Sequence, residues 1–284
     1  MNIRILTAAT ILSLTTAAFA SDTFERTLPV SGQPDLYVST GSGNIRIFPG
    51  NDTEIKVVGH VHASWSAFGD INSRVQSIVT NPPVTQSGNA IHVGESTDHS
   101  LFNNISIDYE VTVPAAAALN LHSGSGDVEI DHVGRYLSAS SGSGNVRAHG
   151  IHGPADLTSG SGDIELQDEG AGDVKAKTGS GSIRINGLNG GINAKTGSGD
   201  IEANGRLAGP GNLQSGSGSV RLHIAPDAHF NLEAETGSGS IRVHFPNTNI
   251  DSDSHHHLTA SVNGGGPPLE VHTGSGDIEC DGTH

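Results

Sequence analysis

The chain has 284 residues, a net charge of −16, 34% hydrophobic residues and only 4% aromatic ones. Such a charge argues against nucleic acid or an anionic lipid surface as the main partner. The lean apolar content excludes a thick globular core, and a single cysteine, Cys280, excludes an internal disulfide.

Residues 1–20, MNIRILTAATILSLTTAAFA, read as a secretory signal. Arg4 supplies the positive region, residues 5–14 the apolar run, and Ala18-Phe19-Ala20 a small-x-small cleavage site before Ser21. No cysteine follows the apolar run to carry a lipid, and no later stretch is apolar for long enough to span a membrane. The expectation is an exported chain, in the periplasm, on the cell surface or secreted, with one domain over residues 21–284.

Residues 21–35 lead in through a strand, TFERTLPVS. Residues 36–47, LYVSTGSGNIRI, give the first copy of a unit made of a short alternating strand, the bend [ST]GSG and a second short alternating strand. The next bend comes 83 residues on, so residues 48–104 read as an insertion, and 21–114 as an N-terminal cap with that insertion. Within it, residues 54–62 and 90–93 read as strands. Trp65, Phe68, Ile71, Val75 and Ile78 recur at spacings of 3, 3, 4 and 3, the apolar face of a helix over residues 64–80 that Pro82 and Pro83 stop. Packing as a lid over one end explains that face better than cofactor binding does. Residues 105–113, ISIDYEVTV, alternate as a strand feeding the repeats.

Bends then recur at Gly124, Gly142, Gly160, Gly179, Gly197, Gly216 and Gly237, at gaps of 18, 18, 19, 18, 19 and 21 residues. A fixed period in this range marks a stacked repeat. The fold class expected is all-β, a parallel β-solenoid with coils of about 18–19 residues over 115–245, with one short helix in the N-terminal insertion. Apolar residues fall two and four positions on each side of the bends (Val128 and Ile130 after Gly126, for example), with Gly211 the one departure, so each strand turns one face inward. A third inward point lies at the far turn, at Val133, Ile151, Leu188 and Leu207. Cys280 is at an inward position and reads as a small buried hydrophobe rather than a reactive thiol. The bend glycines are expected to supply positive φ and close stacking, with the Ser between them and the Ser or Thr before them forming hydroxyl ladders. No helix with a lysine follows any GSG, so a phosphate loop is not indicated. Residues 246–268 form a second insertion, and 269–284 a final copy.

Outward positions alternate in charge. Three residues past each bend stand Glu129, Arg147, Glu165, Arg184, Glu202 and Arg221; one residue past it stand Asp127, Asn145, Asp163, Ser182, Asp200 and Ser219. Stacked about 4.8 Å apart, these residues form a ladder in which each Glu meets Arg, a device for register more than for stability. The order breaks at Arg242, which follows Arg221, and a bulge over 223–230 is expected to separate the two arginines.

The unit LYVSTGSGNIRIFPG, the strand ISIDYEVTVP and the ending HHHLTASVNGGGPPLEVHTGSGDIEC together resemble one family, the bacterial β-strand-repeat domain of unknown function 4097, labelled putative adhesin. The resemblance covers about residues 24–280 and implies an exported single-domain parallel β-solenoid. It brings no catalytic residues.

The leading functional reading is a non-catalytic cell-envelope or secreted binding scaffold, with no cofactor, no nucleic-acid partner, and an unidentified envelope or surface protein or glycan as ligand. The alternative is a glycan-active enzyme on a β-helix wall. The off-pattern groups available to it are Asp168 and Glu169, Lys175 and Lys177, and His149 and His152, each more simply solvated surface. His255, His256 and His257 are weak metal candidates with no fourth ligand in sight. Calcium binding of the β-roll kind repeats about every nine residues, half the period here. If the protein binds a specific ligand, the contacts are expected on the two insertions.

Overall fold

A computed structural model describes residues 22–63, 71–95, 99–254 and 256–282. The expected signal segment lies outside them, as do Trp65, Phe68 and His255. The described residues are all-β apart from a helix at Ile71–Thr80 and one 3-10 turn, and their 23 strands join in one mixed sheet. The helix buries Ile71, Val75 and Ile78, the described part of the expected apolar face.

Period-two alternation gives each strand one apolar face, and each bend sends its two strands into different ladders. In the first ladder the spatial order is Ala90–Val93, Asp35–Thr40, Ala118–Ser123, Tyr136–Ser141, Ala155–Ser159, Val174–Thr178, the ends of Ile183–Thr196 and Ile201–Ser215, then Pro268–Thr273 and Phe230–Thr236. The second ladder runs Ile105–Val113, Ile45–Pro49, Val128–Asp131, Val146–Ile151, Ile164–Asp168, the starts of Ile183–Thr196 and Ile201–Ser215, then Val220–Ile224, Ile278–Gly282 and Ile241–His244. All of these pairings are parallel and bring equivalent residues of the repeats together. The sheet as a whole is mixed, because antiparallel strands close its ends: Glu54–Ala63 on Ile105–Val113, Thr23–Pro29 on Glu54–Ala63, Val84–Ser87 on Ala90–Val93, and His257–Val262 on Phe230–Thr236.

Spatial order departs from chain order at both ends. Ala90–Val93 and Ile105–Val113, assigned from sequence to an insertion and a feeder strand, form an extra rung that stacks outside the first copy. The last copy, residues 268–282, slots between the rung at 211–224 and the rung at 230–244. The bends record the same order, since a Cβ on Gly274 would lie 2.3 Å from the Gly216 carbonyl, and one on Gly237 would lie 2.4 Å from that of Gly274. Gly211, where other repeats carry Ala, Val, Leu or Ile, leaves room for Leu269 of the inserted rung. The expected bulge therefore does not separate Arg221 from Arg242; a whole rung does.

The interior is one layer deep from each wall. Inward residues of the strands after the bend are at most 1% exposed from Val128 to Leu222 and again at Ile278 and Cys280, and Val133, Ile151, Leu188 and Leu207 fill the far turn. Thr40, Ser123, Ser141, Ser159, Thr178, Thr196, Ser215, Thr273 and Thr236 are buried at the bends.

None of the bend glycines has a positive φ; those angles occur elsewhere, as at Gly150 and Gly187. Close approach, not a positive φ, requires glycine at the bends other than Gly41, where a Cβ would meet nothing. A Cβ on Gly144 would sit 2.2 Å from the carbonyl oxygen of Gly126, and backbone cannot yield there. Gly144→Ala is expected to cost about 2–3 kcal/mol through forced separation of two rungs. Ser143→Ala, one residue away and exposed, should stay within about 0.5 kcal/mol. Chemical denaturation of the two variants checks this, and equal losses would contradict the account.

Candidate functional site

Three columns of side chains run along the bends. The innermost is the buried hydroxyl column. Each hydroxyl donates across to a carbonyl of the preceding rung: Ser141 to Gly126 at 2.8 Å, Ser159 to Gly144 at 2.9 Å, and Thr273 to Gly218 at 2.7 Å. Most also accept the N–H of a glycine in their own bend, as Ser159 does from Gly162 at 2.8 Å. The hydroxyls thus bond to backbone of the adjacent rung and not to one another, which corrects the simple picture of a hydroxyl ladder. Loss of such a bridge strands two buried backbone groups.

One residue past each bend, a side-chain oxygen accepts the backbone N–H of the next rung. The series runs Asp108 to Asn44 at 2.7 Å, Asn44 to Asp127 at 2.9 Å, Asp127 to Asn145 at 2.8 Å, Asn145 to Asp163 at 2.9 Å and Asp163 to Ser182 at 2.8 Å. It continues through Ser182, Asp200, Ser219 and Asp277 to Ser240. Aspartates alternate with neutral Asn or Ser, so no two carboxylates are neighbours in this column.

Two residues further on lies the charge column. The structure places Glu129, Arg147, Glu165, Arg184, Glu202 and Arg221 opposite one another in successive strands. Glu110 and Arg46 extend the column at one end, and Glu279 and Arg242 at the other. Signs alternate through all ten positions. Ion pairs form at Arg46 with Glu110 (3.6 Å) and Glu129 (3.2 Å), and at Arg147 with Glu129 (3.7 Å) and Asp127 (3.5 Å). Sequence reasoning missed Glu279 as the residue between the two arginines. Its signal was present, because the last copy reads Asp-x-Glu and so belongs to the acidic type.

The off-pattern residues do not all converge on one site, although the far turn brings Asp168, Glu169 and His152 near one another. Lys175 pairs with Asp156 at 2.7 Å, and Lys177 lies between Thr158 and Lys195 in the first ladder. His149 stands between Asp131 and Gln167 in the second. Asp168 is buried; one carboxylate oxygen accepts from Gly170 and the other meets no partner among the described residues. Desolvation holds its carboxyl above the ordinary range, opposed by the N–H groups of Gly170 and Glu169 and by the nearby His152. His256 is exposed in a turn, and His257 belongs to the strand that covers Phe230–Thr236. Among the described residues no group of three or more His, Cys, Asp or Glu could hold a metal ion. A cavity of about 760 Å³ is lined by Thr40, Gly41, His62, Glu95, Phe102 and Tyr109. Its His62 bonds Asp108 at 3.1 Å, but the other Asp108 oxygen already holds the N–H of Asn44.

Two outcomes follow. Glu165→Arg stacks three arginines and should cost roughly 0.5–1 kcal/mol at low salt, less at high salt as screening grows; an unchanged melting temperature at low salt would count against a role for the stacked charges. Burial, with the charge of Asp281 added, pushes the Cys280 thiol from 9.0 up to about 12. Because the folded chain holds this proton more tightly than the unfolded one, its contribution to stability is complete below the ordinary thiol value. It is lost as pH rises from about 9 towards 12. A thiol reagent at pH 8 should label Cys280 only after unfolding, and rapid labelling of native protein would refute the buried assignment.

Two solved structures are similar to the chain over most of its length. One is described as a putative cell adhesion protein from Clostridium sporogenes, 13% identical, with 92% of this chain and 100% of that chain covered and a TM-score of 0.27. The other is described as a putative adhesin from Bacteroides fragilis, 15% identical, with 90% and 96% covered and a TM-score of 0.48. No curated protein matches the sequence. A family profile matches residues 7–280, and the chain belongs to the Toastrack DUF4097 family.

Proposed function

We propose that the protein is a non-catalytic binding scaffold of the bacterial envelope or secreted space, whose two parallel ladders are the walls of a β-solenoid with coils of about 18–19 residues. Export rests on the sequence of residues 1–20, and the ligand is an envelope or surface protein or a glycan. The observation that carries this reading is the commitment of the wall carboxylates to contacts between rungs. Asp108, Asp127, Asp163, Asp200 and Asp277 each accept backbone N–H of the next rung. Glu129 is shared by Arg46 and Arg147. A glycan-cleaving site needs a paired acid and base, or acid and nucleophile, free to meet substrate. Carboxylates tied up in this way serve register instead, and we assign that role to the column from Glu129 to Arg221.

Ligand contacts are assigned to the departures from the repeat. In the second of these, His257–Val262 buries Leu258, Ala260 and Val262 against Phe230–Thr236, while Thr248–Ser254 lies outside it with Ile250 half exposed. The first of these strands acts as a cap, and the second offers a surface. A glycan array and an envelope pull-down with residues 21–284 should yield a saturable partner and no turnover. Binding should fall when Ile250 and Asp251 are changed to alanine in a protein that melts as the parent does. Release of new reducing ends from a bound polysaccharide would overturn the non-catalytic reading.

A further inference from the structure

Each ladder has two ends, and three of the four are closed by an antiparallel strand: Val84–Ser87 and Glu54–Ala63 at one end of the stack, and His257–Val262 at the other. The fourth end is the strand Ile241–His244. Among the described residues it pairs with Ile278–Gly282 alone.

The open edge carries the marks of an unfilled rung. In every other rung the first inward residue donates its N–H to a carbonyl of the next, from Ile45 to Asp127 through Val220 to Asp277 and Ile278 to Ser240. Ile241 is next in that series, and among the described residues its N–H meets no carbonyl. Ile241 and Val243 are partly exposed, whereas their equivalents are at most 1% exposed. Arg46, Arg147, Arg184 and Arg221 each lie between two glutamates, but Arg242 has Glu279 on one side and no rung on the other.

The columns also specify what fits. After each neutral residue one place past the bend comes an aspartate, so the residue facing Ser240 is Asp. After each arginine comes a glutamate, so the residue facing Arg242 is Glu. Asp281 lies between His223 and His244, so an Asp also suits the far side of His244. We propose that this edge is a strand-addition site for an extended acidic segment of another protein reading Asp-apolar-Glu-apolar-Asp. The segment would lie parallel to Ile241–His244 and supply backbone hydrogen bonds, two apolar side chains and complementary charge. A second copy of this chain fits poorly. Its own segments of that pattern, residues 127–131 and 277–281, are built into the stack, and antiparallel pairing of two such edges sets Arg242 against Arg242 or His244. The inference needs only the stacking register and does not depend on the adhesive reading.

The probe is a labelled peptide, SGSGDVEIDG, added to the intact protein while anisotropy and residue-resolved amide exchange are followed. Saturable, salt-sensitive binding is expected, with slower exchange at Ile241 and Val243. Arg242→Glu should weaken binding about fivefold or more and should favour a peptide with arginine in place of glutamate, in a variant whose melting temperature confirms folding. Failure of the peptide to bind the folded parent, or binding indifferent to Arg242→Glu, would overturn the proposal. Self-association that protects the same amides without peptide would also overturn it, by assigning the edge to a second copy.

Discussion

Successive bends approach so closely that no Cβ fits between them. The Gly126 carbonyl lies 2.2 Å from where a Gly144 Cβ would stand, and the same relation recurs between Gly144 and Gly162 at 2.2 Å and between Gly199 and Gly218 at 2.0 Å. From this contact much else follows. Rungs held at strand spacing bring every outward residue within about 4.8 Å of its equivalents. A repeat made of identical rungs would then stack like charges, whereas here signs alternate along the Arg–Glu column and aspartates alternate with neutral residues beside it. Buried hydroxyls tie the same bends together from the inside, where their carbonyl partners have no water to turn to.

Magnitudes separate the roles of these columns. An exposed ion pair contributes about 0.2–1 kcal/mol, and the column's arginines and glutamates in ion pairs are about 40% exposed. A buried hydroxyl that satisfies two backbone groups is worth more, about 1–3 kcal/mol when it is lost. The hydroxyls and the apolar interior therefore hold the stack, but they are nearly alike in every rung and cannot say which rung sits beside which. Charge differs between rungs, and we propose that it does say which sits beside which. The placement of residues 268–282 between two arginine rungs obeys this logic, and the interior adds one shape cue of its own at Gly211, whose missing side chain admits Leu269.

Much of this was legible in the sequence because it is periodic. The bend spacing gave the parallel pairing of equivalent residues, and strict alternation gave the inward set from Val128 to Cys280. What escaped was order and closure. A period says that rungs stack, but sequence adjacency is a default and not a law, so the exchange of the last two rungs and the placement of Ala90–Val93 and Ile105–Val113 outside the first copy went unread. Capping strands alternate like any other strand and belong to no repeat, which hid the role of His257–Val262. The glycines misled in one respect, because GSG suits both a positive φ and a close approach, and composition cannot tell the two apart. Asp168 stood out from the pattern, but its burial depends on the far turn, where the repeats are least alike.

The order of the rungs is tested most directly by disulfide trapping in a Cys280→Ser background. Arg221→Cys combined with Glu279→Cys puts two thiols on adjacent rungs, about 4.8 Å apart at the backbone and within bridging range. Arg221→Cys combined with Arg242→Cys puts them two rungs apart, about 9.6 Å, and outside that range. The account predicts rapid oxidation of the first pair in native protein and none of the second; cross-linking of the second pair without the first would show that the rungs stack in chain order and contradict it.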